Sequence, residues 1–354
     1  MRLFLFIFLY TAHCDGQMGG GDQMYNNKQL KFVVKCGKCT GSIISKHYVL
    51  TAGHCVKDKD KSNLHGKFVA KNISIAAGDH YLTLDKAQSD AHQSETRKTF
   101  QADEVIPHPM YVAANSINTW QYDLALLYFK RALFQDGDKH IKSIEMVTAD
   151  QRWNLEKDRN VHWKTLESSH PTYRQSVKLV NKANGHPIWI TDLPVDHYKN
   201  TTTGNWVEYV PPAGSNCWAI GLGCPYMRCT TNKDGTKKFE PSEATNIKTM
   251  DEVKVQTHDT CARVADLYQD HDRNFCFGRG LRYGGRVYWG DSGGPVICNH
   301  NNSPPGAGGW KLYGVIVASN HDPRMPQGYT SAVRLTNGEL NRWVSSEMQK
   351  LRLK

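Results

Sequence analysis

The chain has 354 residues, 39% of them hydrophobic, with ten cysteines and a formal net charge of +10. Its length and apolar content suffice for a sizeable core, in one large domain or two smaller ones. The basic balance predicts attraction to acidic surfaces such as glycosaminoglycans or anionic lipid heads. No helix-turn-helix, zinc-finger or RNA-binding signature accompanies it, which argues against nucleic acid as a partner.

The first residues, MRLFLFIFLYTAHC, carry one basic residue, Arg2, and then an apolar run from Leu3 to Tyr10. That run is shorter than the roughly 20 residues a membrane span requires. With small residues at Ala12, Cys14 and Gly16, it reads as a signal peptide over residues 1–16. A buried N-terminal strand is the other reading, but basic start, apolar run and small residues come in signal order. No later apolar segment is long enough to cross a bilayer. The expectation is a secreted, extracellular chain whose cysteines pair in oxidising surroundings. Asn72-Ile-Ser, Asn200-Thr-Thr and Asn301-Asn-Ser offer glycan acceptors there.

Short apolar runs bounded by turn residues then recur: Lys31-Phe-Val-Val-Lys35, Gly41-Ser-Ile-Ile44, Tyr48-Val-Leu50, Leu124-Ala-Leu-Leu-Tyr128, Cys217-Trp-Ala-Ile220, Pro295-Val-Ile-Cys298 and Leu312-Tyr-Gly-Val-Ile-Val317. Many are β-branched or aromatic and only a few residues long, which predicts an all-β fold of closed antiparallel sheets. Residues 143–203 differ. They are polar, rich in His, Lys, Asn and Trp, and read as an inserted surface structure. The last element is a helix. Thr336-Asn-Gly-Glu339 predicts a capping box, and Leu340, Trp343, Val344, Met348 and Leu351 fall near one face. That stripe predicts packing on a sheet, since Lys and Arg are too few to favour a membrane surface.

The strongest motif is Gly290-Asp-Ser-Gly-Gly-Pro295. At average residue usage its chance occurrence is on the order of one in 10⁷ per starting position. A serine nucleophile needs its hydroxyl on a tight turn, with backbone N–H groups converging on the oxyanion that forms. Glycines permit both. The N–H groups of Gly290 and Ser292 are the expected donors. The hydroxyl also needs a base, which Thr51-Ala-Gly-His54-Cys55 supplies at the end of an apolar strand. Asp123 begins the mostly apolar Leu124-Ala-Leu-Leu127 stretch, where a buried acid can orient an imidazole. Alone, the histidine would more often be structural and the aspartate a turn residue. Together, in the order His, Asp, Ser, they form a triad order.

These three segments resemble the His, Asp and Ser motifs of the chymotrypsin/trypsin-like serine proteases, and the resemblance runs from about Lys31 to the final helix. It implies two packed six-stranded antiparallel β-barrels with the active site in the cleft between them, a C-terminal α-helix, and a protease domain over residues 17–354. It also implies disulfides Cys39–Cys55, Cys217–Cys298 and Cys261–Cys276. Closing a loop the size of the first contributes roughly 3 kcal/mol in the chain-entropy view. A further bond from Cys36 to Cys224 or Cys229 is expected from their neighbourhood in the family. A four-cysteine zinc site from Cys36, Cys39, Cys224 and Cys229 is set aside because an oxidising compartment favours disulfides. The family acts on protein or peptide substrates and implies no metal or organic cofactor. A serine endopeptidase is thus the leading expectation, and a catalytically silent protease-like binding module is the alternative.

The sequence departs from the family at two places. Gln17-Met-Gly-Gly20 is the nearest string to the Ile-Val-Gly-Gly start whose freed ammonium pairs with the acid before the serine, here Asp291, to support the oxyanion hole. In the specificity pocket, Arg286 falls where trypsin-like members carry an acid, and Tyr288 replaces a stapling cysteine. Val317, Ala318 and Ser319 take the usual Ser-Trp-Gly positions, and Gln327 lies near the other wall. Cleavage after Lys or Arg is therefore not expected. Arg286 either receives a substrate carboxylate or pairs internally with an acid such as Asp291.

Overall fold

The computed structural model of the chain describes residues 22–23, 30–56, 73–111, 122–147, 176–180, 187–191, 197–199, 206–208, 216–224, 227–231, 237–241, 246–256, 260–261, 273–279, 287, 290–298, 310–319 and 329–350. The expected signal segment, the three sequon asparagines, Gln17 to Gly20, Arg286, Tyr288, Gln327 and Leu351 lie outside the described residues.

The N-terminal half folds as one antiparallel sheet. Val33–Cys36 turns through Gly37 and Lys38 into Cys39–Ser45, with Cys36 opposite Cys39. A two-residue hairpin turn needs a left-handed residue, and Gly37, at φ 57°, provides it. Tyr48–Thr51 follows and pairs with Ala125–Tyr128, while Ser74–Ala77 flanks Val33–Cys36. The stretch 98–107 bends at Ala102 and Asp103. Its first half, Lys98–Gln101, pairs with Ser74–Ala77, and its second, Glu104–Pro107, pairs with Ala125–Tyr128. The two ends of the ladder are thus halves of one bent stretch, and the chain itself completes the curl. Curling buries Val33, Val34, Ile43, Val49, Leu50, Ile75, Leu126 and Leu127.

The C-terminal half closes through hydrogen bonds. Thr249–Val255, Asn216–Gly221, Pro295–Cys298, Lys311–Ser319, Thr330–Arg334 and Asn274–Arg279 pair in that order. Val253–Val255 then pairs with Phe277–Arg279, making a six-stranded barrel. Asp22–Gln23 adds a short edge to Thr249–Val255. The expected two-barrel, all-β architecture is therefore present, with one sheet closed by strand pairing and the other by a bend. The segment Glu145 to Val147 leaves the first sheet and docks on the second, where Leu312 exchanges backbone hydrogen bonds with Glu145 and Val147. Apolar side chains of both halves form one contiguous core.

Within the region expected to be inserted, and among the described residues, Ser176–Val180 pairs only with Pro187–Thr191, and His197–Lys199 only with Trp206–Glu208. A further hairpin joins Met227–Thr231 to Lys237–Pro241. Among the described residues none of these hairpins extends either barrel sheet.

The final helix, Gly338–Lys350, buries Leu340 and Val344 and packs Trp343 and Met348 against the core. It rests on the first sheet, where the Tyr48 hydroxyl donates to the carbonyls of Glu347 and Met348 and the Trp343 ring lies 4.7 Å from His108. Its cap differs from the expected box. The Asn337 side chain accepts from the N–H groups of Glu339 and Leu340 at 3.0 and 3.1 Å. Glu339 turns instead to Arg273, at 3.0 Å, and to the Tyr122 hydroxyl. A guanidinium gives that carboxylate a charged partner, which a backbone N–H does not.

Candidate active site

Asp123 sits just before Ala125–Tyr128 and is 0% exposed. Both of its oxygens meet His54: Oδ1 accepts from the backbone N–H and Oδ2 lies 2.7 Å from Nδ1. The approach depends on Gly53. A Cβ there would stand 3.0 Å from Asp123 Oδ1 and equally close to the Tyr111 ring. This explains why Thr51-Ala-Gly-His54 carries glycine before the histidine. Burial pulls the His54 pKa down, but the charge and hydrogen bond of Asp123 outweigh it and leave the pKa above its ordinary value. Burial, and then the Asp123 charge, push the neighbouring Tyr111 phenol upward, so it stays neutral.

His54 Nε2 lies 3.7 Å from Cys55 Sγ. Cys39, His54 and Cys55 bring potential ligand atoms within 4.8 Å of one another, but the two sulfurs are bonded to each other and offer no thiolate. That bond also removes Cys39 from the four-cysteine set considered in the sequence.

The second half supplies the turn 290–294. Gly290 and Gly293 have φ of 100° and 79°, conformations that side chains resist. Space excludes side chains as well. A Cβ on Gly293 would run into Thr51 Oγ1 and the Thr40 carbonyl, and one on Gly294 into the Ile220 carbonyl. A Cβ on Gly293 would also stand 3.1 Å from the Ala52 nitrogen, so the Ser292 turn abuts the strand end that carries His54. Thr40 N–H donates to the Ser292 carbonyl at 2.9 Å, stitching the turn to the first sheet. Gly293 N–H donates to Ile316 O, and Gly294 N–H to Asp291 O. By contrast, the N–H groups of Gly290 and Ser292, and the Ser292 hydroxyl, make no hydrogen bond among the described residues. These two amides are the ones expected as oxyanion donors.

Asp291 is buried beneath the turn, 1% exposed, with Oδ1 accepting from Gly223 N–H at 2.8 Å. Its carboxylate fills the place where a Cβ on Gly221 would go. Of the expected pocket residues, Val317 is buried in Lys311–Ser319 at a bulge between Ile316 and Ala318, and Ala318 and Ser319 pair onward with Ser331 and Thr330. A bulge re-aims the side chains beside it.

Disulfides join Cys39 to Cys55, Cys217 to Cys298 and Cys261 to Cys276. The expected bond from Cys36 is absent: Cys36 and Cys224 are both buried free thiols. Burial pushes the Cys36 pKa up to about 12, which keeps the thiol protonated. Cys36 and Cys224 both act on Lys35, and Cys224 is also influenced by Asp291. Two residues important to the geometry were not singled out in the sequence. Thr40 bridges the sheets, its hydroxyl donating to Gly290 O at 2.8 Å and accepting from Leu222 N–H. Lys35 is buried, at 5% exposure. Its alternation with buried Val33 in a short strand is the only sequence signal for it.

A trypsin family model matches residues 18–182 and 135–344. Among relatives, a serine protease, SSP1, of Scolopendra subspinipes is 30% identical over 33% of this chain and 37% of its own length. A CLIP domain-containing serine protease, B15, of Anopheles gambiae is 32% identical over 25% of this chain and 21% of its own. Coagulation factor IX of Oryctolagus cuniculus is 30% identical over 27% of each. The chain thus matches well under two thirds of each relative's length. Among the described residues no helix is long and apolar enough to cross a membrane. Two matched segments that together run from residue 18 to residue 344 settle the family: the chain belongs to the trypsin family of serine proteases.

Proposed function

We propose that the protein is a secreted serine endopeptidase that hydrolyses peptide bonds through Ser292, His54 and Asp123. One observation carries this reading: a buried Asp123 grips His54 at both ring and backbone, beside a glycine turn that presents Ser292 with two unengaged N–H groups. The Ser292 oxygen attacks the scissile carbonyl carbon while His54 Nε2 takes its proton. Asp123 fixes the tautomer with Nδ1 protonated and stabilises the imidazolium. The Gly290 and Ser292 amides receive the oxyanion. The imidazolium then returns its proton to the leaving amine, and water repeats the sequence on the acyl-enzyme.

The Ser292 hydroxyl makes no hydrogen bond to His54, and catalytic bonds of this kind often tighten only when substrate is bound. This feature also suits a silent binding module, so the two readings need an experiment. Exposure of the purified chain to a small fluorophosphonate, followed by intact mass, should add one adduct per chain. Ser292→Ala should abolish it, and His54→Ala should lower peptide hydrolysis by several orders of magnitude without unfolding the protein. Absence of any adduct on the wild-type chain rejects the enzyme and favours the module.

A further inference from the structure

The network beneath the Ser292 turn contains a cation from the opposite sheet. Lys35 lies in Val33–Cys36, with its ammonium 3.4 Å from the Leu222 carbonyl in a buried position. The same peptide unit continues into the Gly223 N–H, which donates to Asp291 Oδ1 at 2.8 Å. In a trans peptide these two bonds point opposite ways. One peptide dipole therefore turns its negative end to the Lys35 ammonium and its positive end to the Asp291 carboxylate. That segment also underlies the oxyanion donors. A Cβ on Gly290 would stand 2.8 Å from Gly223 Cα, and the Thr40 hydroxyl ties Leu222 N–H to Gly290 O.

We propose that Lys35 is a positioning residue, a resident cation that holds Asp291 and the 222–223 peptide under the Ser292 turn and thereby keeps the oxyanion site formed without an ammonium freed by cleavage. The inference rests on the serine endopeptidase reading and adds how its oxyanion site is supported.

A buried lysine in an apolar strand is costly unless something compensates its charge. The Leu222 carbonyl alone is a single neutral acceptor at a long distance. Asp291 supplies the missing charge. The groups that act on Lys35 are Asp291, Cys224 and Cys36. Burial lowers its pKa from the ordinary 10.5, and Asp291 is the foremost influence opposing that. Both cysteines are thiols whose own pKa is raised, chiefly by burial, so near neutral pH the carboxylate is the anion in this group. The charge belongs to the protonated lysine. Support of the site is therefore expected below its folded pKa and lost as pH rises through a value lower than that of a free lysine.

The test uses the full chain, prepared with and without a non-cleavable N-terminal extension, and reads the rate of fluorophosphonate adduct formation. Both forms of wild type should react at the same rate. Lys35→Met should react at least tenfold more slowly and lower kcat with little change in KM. Lys35→Arg should recover most of the rate and move its alkaline decline to higher pH. A double-mutant cycle of Lys35→Met with Asp291→Asn, read by denaturant unfolding, supplies a measure independent of activity, and the two changes should be clearly non-additive. Additive effects overturn the proposal whatever the activity does. So does a Lys35→Met chain that reacts as fast as wild type or faster, the latter marking Lys35 as a latch on an inactive arrangement. Reaction confined to the form without the extension overturns it too. If wild type never reacts while the cycle remains coupled, the endopeptidase reading fails and the oxyanion role falls with it, although the coupling of Lys35 to Asp291 through the 222–223 peptide stands.

Discussion

At the scale of single residues, Asp123 shows how burial and charge divide their work. Desolvation alone would make His54 a weak base. The carboxylate beside it offsets that and holds its pKa above the ordinary value. The base must be neutral to accept the serine proton, so activity should fall as pH drops through that raised pKa. In Asp123→Asn the burial effect persists while both raising influences vanish. The acid limb of kcat/KM should then shift to lower pH, and kcat should drop by on the order of 10⁴ because the tautomer is no longer fixed. A pH profile of the variant checks both effects, and an unmoved acid limb would mean that His54 is not the titrating base. The geometry behind these proposed roles was legible in the sequence because the motif glycines mark close approach: Gly53, Gly290 and Gly293 stand where a side chain would collide with Asp123, Gly223 or Thr40. Lys35 was not legible. A lysine flanking an apolar run ordinarily marks a strand end in water, and only the opposite sheet makes its position a buried one.

At the scale of elements, strands were easier to read than their partners. Short β-branched runs such as Val33–Cys36 and Pro295–Cys298 announce themselves by composition. The bend at Ala102 and Asp103 does not, because it depends on two separate strands pairing with one stretch. The helix cap was misread by one residue for a local reason. Thr336, Asn337 and the following Glu339 satisfy the sequence rule for a capping box, but asparagine caps as well as threonine, and Arg273 draws Glu339 away. The expected fourth disulfide is not formed, and Cys36 and Cys224 remain buried thiols that both act on Lys35. Asn337→Ala should therefore cost about 1 kcal/mol of stability, the usual cost of removing a side-chain cap. Chemical denaturation would measure it, and Thr336→Ala producing the larger loss through the helix would restore the original register.

At the scale of the whole molecule, the two halves meet along a seam that includes another buried lysine. Lys248 precedes Thr249–Val255, is 0% exposed, and directs its ammonium to the Leu30 carbonyl at 2.9 Å. Its backbone N–H donates to the His80 carbonyl, while Asn246 accepts from Leu82 N–H and donates to Gln88 Oε1 of the first half. Burial lowers its pKa from 10.5 to about 7, against an opposing pull from Asp79. The sign of the linkage follows. Between about 7 and 10.5 the unfolded chain holds this proton and the folded chain does not, so stability rises with pH by up to about 1.4 kcal/mol per unit. Below about 7 both states hold the proton and the cost is constant. Lys248→Met removes this dependence while leaving the Leu30 carbonyl to the Val33 N–H. Denaturant unfolding of both proteins from pH 6 to 10 isolates the effect as the difference between them. Wild type should be the relatively weaker partner at low pH and gain steadily on the variant above about 7. A difference that stays flat across that range would mean that Lys248 keeps an ordinary pKa, and that the seam accommodates its charge in both states equally well.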